Sequence, residues 1–201
     1  MVVGRIISLR HYSKHTVWRV LDRAWLCRAP WAIEEVDKME HNTFLFMFHS
    51  REDRKRTLEK GPWFIHKDIL VIKEWNPTTP LRNISFITTP IWAQFHGIPP
   101  AFMSKENNWK IGDKAGSVLE VEFNDHTKWK PFVRVQLDIH VSRPLFPGFY
   151  LPMYSHKRVW IQVKYEKIQD FCFRCGRLGH DRESYSEEND TTVASLEGEV
   201  V

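Results

Sequence analysis

Cys172, Cys175 and His180 form a C-x2-C-x4-H pattern within the run FCFRCGRLGHDRESYS, residues 171–186. Thiolates and imidazoles are the donors zinc prefers, and a C-x2-C turn presents two thiolates along one edge of a tetrahedron. Gly176 and Gly179 let the backbone close tightly around such a centre, because glycine tolerates positive φ. A fourth donor is expected five residues after the histidine, and that position is Tyr185. A neutral phenol is a poor zinc ligand. The residues therefore leave two readings open: a site completed by water or by a carboxylate such as Asp181 or Glu183, or a decayed site that holds zinc weakly or not at all. Three protein ligands plus water is also a catalytic pattern, but no general base or shaped pocket accompanies it in the sequence.

The side chains around these donors suggest a ligand. Phe173 lies between the cysteines, where a flat ring can stack on an unpaired base, and Arg174 and Arg177 can reach phosphates. A second aromatic group is NTFLFMFH, residues 42–49. In a strand, Phe44, Phe46 and Phe48 share one face, with Leu45 and Met47 pointing to the helices. An exposed sheet face of that kind stacks bases, which makes Phe44 and Phe46 candidate nucleic-acid contacts; the favoured alternative is that they pack against residues 91–141. Arg51, Arg54, Lys55, Arg56 and Lys60 form a basic run in which Arg51, Arg54 and Lys55 would cluster on a helix and could meet phosphates; the favoured reading is a solvated face, interrupted by Glu52, Asp53 and Glu59. Trp63, Trp75, Trp92 and Trp160 sit in or beside apolar runs and are expected in the core, as is the Cys27 thiol.

The elements that must position these residues follow from periodicity. Residues 3–10 read as a strand. Ser13 caps a helix running to about Cys27, with Val17, Val20, Leu21, Ala24 and Trp25 on one face. Residues 31–36 and 42–49 are strands, Ser50 opens a charged helix that ends at Gly61-Pro62, and residues 69–75 are a strand. This β-α-β-β-α-β order is the split βαβ arrangement of ferredoxin-like and RNA-recognition folds. After a turn-rich break at 76–80, strands are expected at 91–98, 117–123, 132–141 and 159–165, with a helix near 101–112 and a loop marked by Pro144, Pro147, Gly148 and Pro152. From 132 to 141, Phe132, Arg134, Gln136, Asp138 and His140 alternate with apolar residues, so one face of that strand is buried. No internal repeat is visible. The expected class is α+β: a ferredoxin-like, RNA-recognition-like module over 1–76, a β-rich second segment over 77–165, a small zinc knuckle over 166–186 and an acidic disordered tail over 187–201.

Composition agrees with a folded binder. The 201 residues are 42% hydrophobic and 13% aromatic, enough for a sizeable core. Net charge is +4, but residues 181–201 hold seven acids and one base, leaving the first 180 residues with 28 basic and 18 acidic side chains, or +10. A basic body with an acidic tail suits a polyanion partner. Three cysteines and no apolar leader after Met1 point to an intracellular, reducing setting, nucleus or cytoplasm, and the charge-free stretch 83–104 is too polar and proline-rich to span a membrane. There is no Walker loop, nucleophile elbow, H-E-x-x-H or dinucleotide fingerprint, so an enzyme is not expected.

The runs LEKGPWFIHKDILVIKEWNP (58–77), PIWAQFHGIPPAFMSKE (90–106), IGDKAGSVLEVE (111–122) and WIQVKYEKIQDFCFRCGRLGH (160–180) resemble a plant family. Its members carry the domain of unknown function 4283 followed by a C-x2-C-x4-H-x4-C zinc knuckle, and many are similar to the gag-like, nucleic-acid-binding part of LINE-type retrotransposons. The resemblance implies binding of zinc and of nucleic acid, and no catalysis; with the basic side chains and the stacking rings, the expected partner is single-stranded RNA or DNA, bound with little sequence preference. It places metal ligands at Cys172, Cys175 and His180 and departs from the family at Tyr185. The other reading of the residues is a protein-interaction or self-association module with a decayed knuckle.

Overall fold

A computed structural model describes residues 1–8, 10–36, 41–123, 130–153, 157–168, 172 and 175–178. The first half contains β1 (Val2–Ile6), α1 (Lys14–Trp25), β2 (Trp31–Glu35), β3 (Thr43–Phe48), α2 (Arg51–Glu59), β4 (Trp63–Ile65) and β5 (Asp68–Glu74). The Ser13 hydroxyl accepts from the Thr16 amide at 3.3 Å, satisfying a free donor at the start of α1. Val17, Leu21 and Trp25 recur every fourth residue and form its buried stripe. Ser50 caps α2 in the same way. Within α2, the Asp53 carboxylate accepts from the amides of Arg28 and Ala29, tying the helix to the chain leaving α1.

The first sheet has the order β2-β3-β1-β5-β4, all antiparallel. One face packs under the helices through Val2, Ile6, Phe44, Phe46 and Leu70 against Val17, Leu21 and Trp25. Gly4 makes this close packing possible, since a Cβ there would stand 2.8 Å from the Phe46 ring. The other face is closed as well. Val3, Leu45 and Val71 lie in a cluster with Trp75, Leu81, Ile84, Phe86 and Val141, and the Arg5 guanidinium sits 4.7 Å from the Phe86 ring centre. The segment leaving the first sheet therefore folds back over it.

The second half contains β6 (Thr88–His96), α3 (Lys105–Gly112), β7 (Ser117–Glu122), β8 (Phe132–His140), β9 (Gly148–Pro152) and β10 (Arg158–Tyr165). Its sheet order is β7-β8-β6-β10-β9, again antiparallel throughout. When strands are counted from the start of each sheet, both sheets read 2-3-1-5-4. The β-rich second segment is a second copy of the first topology, a repeat hidden from the residues because the two cores share a pattern and not a sequence. The copy is incomplete: α2 joins β3 to β4, whereas residues 141–147 join β8 to β9 without a helix. On the face that packs α3, Ile111 covers Ile91, Ala93, Phe95, Val133, Val135 and Leu137; Leu145, Phe146 and Leu178 complete the cover where a second helix would lie. Ile69 of the first sheet joins this core, so the halves pack together. Strands β4 and β9 were not expected from the sequence, and the proline-marked loop at 144–152 holds β9. Among the described residues no helix is long and apolar enough to cross a membrane.

Candidate nucleic-acid interface

The C-x2-C half of the knuckle is built onto the second sheet. The Gly176 amide donates to the Cys172 carbonyl at 2.7 Å, and the Cys172 amide donates to the Arg177 carbonyl at 2.9 Å. Gly176 has φ of 72°, the left-handed conformation that glycine adopts without strain. Its carbonyl accepts from the Leu145 amide at 2.8 Å, and Leu178 is buried in the second core. Cys172 is fully buried and Cys175 half-buried. Burial first, and then the neighbouring Cys172 thiol, push the Cys175 thiol up, opposed by the Arg177 amide and charge. A divalent cation would reverse that balance by favouring both thiolates.

Two thiols on one tight turn fit one edge of a zinc tetrahedron. Among the described residues no group of three or more His, Cys, Asp or Glu side chains could complete the set. His180 and Tyr185 lie outside the described residues, as do Phe173 and Arg174. Arg177 is half-buried, and its Nε is enclosed with no partner among the described residues.

Phe44 and Phe46 are corrected by the structure. They are 1% and 0% exposed. Their face of β3 is the one beneath the helices, with the Phe46 ring 5.0 Å from that of Trp25, and it is Leu45 that points away. Neither ring can reach a base, and neither packs against residues 91–141. The parity was misassigned because an alternating strand gives two faces without saying which one meets the helices. The cations of α2 are largely committed within the chain: Arg54 pairs with Glu74 at 3.2 Å, Lys55 with Glu59 at 3.7 Å and Arg56 with Asp53 at 2.7 Å.

In the second sheet, in contrast, one face is covered by no helix among the described residues. Trp92, Gln94 and His96 on β6, Phe132, Arg134 and Gln136 on β8, and Arg158, Trp160, Gln162 and Lys164 on β10 alternate with the buried residues and point away from α3. Arg134 stacks 4.0 Å from the Trp92 ring centre and bonds Glu122 at 2.9 Å and both oxygens of Glu166 at 2.9 Å. Gln94 donates to Glu166 at 2.8 Å. The His96 and Phe132 rings are 5.2 Å apart, and those of Tyr150 and Trp160 are 5.0 Å apart. Burial, and then the Lys164 charge, hold His96 below its ordinary value, so its ring is neutral near pH 7. Trp160 is thus exposed on this face and not a core residue as expected, while Trp92 is half-buried there beneath Arg134. The clean alternation at 132–140 carries this signal, since its second face holds Phe132, Arg134 and Gln136.

Comparison with known proteins agrees with the sequence landmarks. An uncharacterized protein of Arabidopsis thaliana is 23% identical over 133 residues, which is 66% of this chain and 42% of that protein, so the chain spans less than half the length of this relative. Among solved structures, RNA recognition domains 1 and 2 of Sex-lethal from Drosophila melanogaster share 13% identity over 69% of this chain and 85% of that one, with a TM-score of 0.29. The first two RRM domains of yeast poly(U) binding protein share 12% over 83% and 99%, also at 0.29. Those TM-scores are too low to bear on the fold, which rests on the strand order itself. Residues 2–82 match the domain of unknown function DUF4283 and residues 140–186 match a zinc knuckle, so both modules are found in this chain, in that order.

Proposed function

We propose that this chain binds single-stranded RNA or DNA with little sequence preference, through its basic body and a zinc-stiffened loop, without catalysis of its own. The observation that carries this reading is the Cys172–Cys175 turn, closed by two backbone hydrogen bonds and anchored to the second sheet inside the stretch that matches a zinc knuckle. Cys172, Cys175 and His180 would hold the metal, which supplies stiffness to the loop and no chemistry. Phe173 would stack on a base while Arg174 and Arg177 meet phosphates. Ring stacking tolerates every base, because each has a π-face, and phosphate contact reads no sequence. The sequence resemblance implies that this binder is retroelement-derived and gag-like, and the reading places it inside the cell.

The test is anisotropy of a labelled single strand titrated with the full chain at low and moderate salt. Affinity should fall as salt rises, through release of counterions. No binding at low salt would leave self-association or a protein partner as the role of this fold. Tyr185→Cys should raise zinc affinity, read by competition with a chelator; an unchanged affinity would mean that the loop uses another ligand or holds no metal.

A further inference from the structure

We propose that one end of the open face of the second sheet is a separate docking surface for unpaired bases of a single strand, formed by Tyr150, Trp160, His96 and Phe132 around Gln162. This rests on the single-strand reading above but uses none of the knuckle residues. Tyr150 and Trp160 pair across β9 and β10 and are 62% and 44% exposed, though each is an aromatic ring that burial would stabilise. His96 and Phe132 pair across β6 and β8, and Gln162 stands opposite His96, between the two ring pairs. A group of large rings on a sheet face that no described helix covers marks a contact surface.

Charge selects the occupant. The only charged side chains in β9 and β10 are Arg158 and Lys164, both on the open face, while the acids of the sheet, Glu120, Glu122 and Asp138, lie on β7 and β8. Arg134, which borders those acids, is bound to Glu122 and Glu166 and neutralised there. Among the described residues, the ring-bearing end therefore combines flat faces with positive charge that no described acid pairs, the combination that holds bases and phosphates of a single strand. The Gln162 amide can donate to or accept from any base edge, so it orients a base without selecting one strongly.

The experiment uses the full chain and a labelled oligouridine strand at low salt, comparing wild type with Trp160→Ala, Tyr150→Ala, Trp160→Phe and Lys164→Glu. Trp109→Ala serves as control, since Trp109 is 41% exposed on α3, away from this face. Each alanine variant on the face should weaken binding by at least about fivefold. Trp160→Phe should keep most of the affinity, Lys164→Glu should weaken it, and the control should not change. Thermal melts of every variant should match wild type. If wild type binds and the face variants bind equally well, this surface is overturned and the knuckle reading survives. If wild type does not bind, both fall. If the face variants instead abolish a self-association seen by sedimentation and leave binding intact, the face belongs to a protein contact and the proposal fails.

Discussion

The two sheets share one strand order and differ in what covers their second face. In the first, the helices cover Phe44 and Phe46, and the returning segment with Phe86 covers Val3, Leu45 and Val71. In the second, α3 and the Leu145–Phe146–Leu178 group cover one face, and no described helix covers the other, which carries rings and basic side chains. The same topology thus yields a scaffold in one half and a surface in the other. A sheet closed on both sides can only position; a sheet closed on one side can bind. Aromatic richness alone does not separate the two, because the phenylalanines of β3 look as suited to stacking as the rings of the open face until their depth is known.

The largest break in this comparison should come from Phe46→Ala. Deleting a fully buried ring between β1 and α1 should cost about 3–5 kcal/mol of stability in urea unfolding. Trp160→Ala should instead change stability by less than about 1 kcal/mol. Equal losses at the two positions would mean that the open face is not open.

Arg134→Met should cost about 1–3 kcal/mol at neutral pH, because it breaks a two-pronged pairing to Glu166 and a bond to Glu122. Both carboxyls are held below the ordinary 4.5, Glu166 first by its hydrogen bonds from Arg134 and Glu122 first by Lys130 and then Arg134. A lowered folded-state value contributes stability above the unfolded value and loses it as pH falls through the folded one. The gap between wild type and Arg134→Met should therefore be full near pH 7 and close as pH falls below the ordinary 4.5 and through the lowered folded-state values. A gap that persists in acid would assign the loss to packing of Arg134 on Trp92.

The smallest effects should come from the helix caps, one in each half. Ser50→Ala and Ser104→Ala each remove a hydroxyl that accepts from an amide at 3.2 Å and should each cost about 1 kcal/mol in thermal or urea unfolding. A markedly larger loss for Ser104→Ala would show that α3, which covers its sheet without a second α-helix, bears more of the second core than α2 bears of the first.

Both unexpected strands, β4 and β9, occupy the same edge position of the two sheets. β4 is three residues long and follows Gly61-Pro62; β9 follows Pro147 and ends at Pro152. Short edge strands flanked by proline carry turn chemistry in their residues and acquire strand character only by pairing, β4 with β5 and β9 with β10. The interior strands and the described α-helices were legible because their signals are local: a periodic stripe for α1, and capping and proline positions for α2 and α3. Of the candidate site, the Cys172–Cys175 turn was legible from spacing, while the open face was not, because its rings come from four strands far apart in the chain.

The sequence by itself determined every described α-helix and every strand but β4 and β9, the capping residues Ser13 and Ser50, the βαββαβ order of the first half apart from β4, and the thiol pair, since each depends on residues within a few positions of one another. Only the tertiary structure decided that the second half repeats the first, that Phe44 and Phe46 are core, and that Trp160 is surface. Those outcomes depend on which face of a sheet is covered by segments remote in the chain, and alternation along a strand is symmetric with respect to that choice.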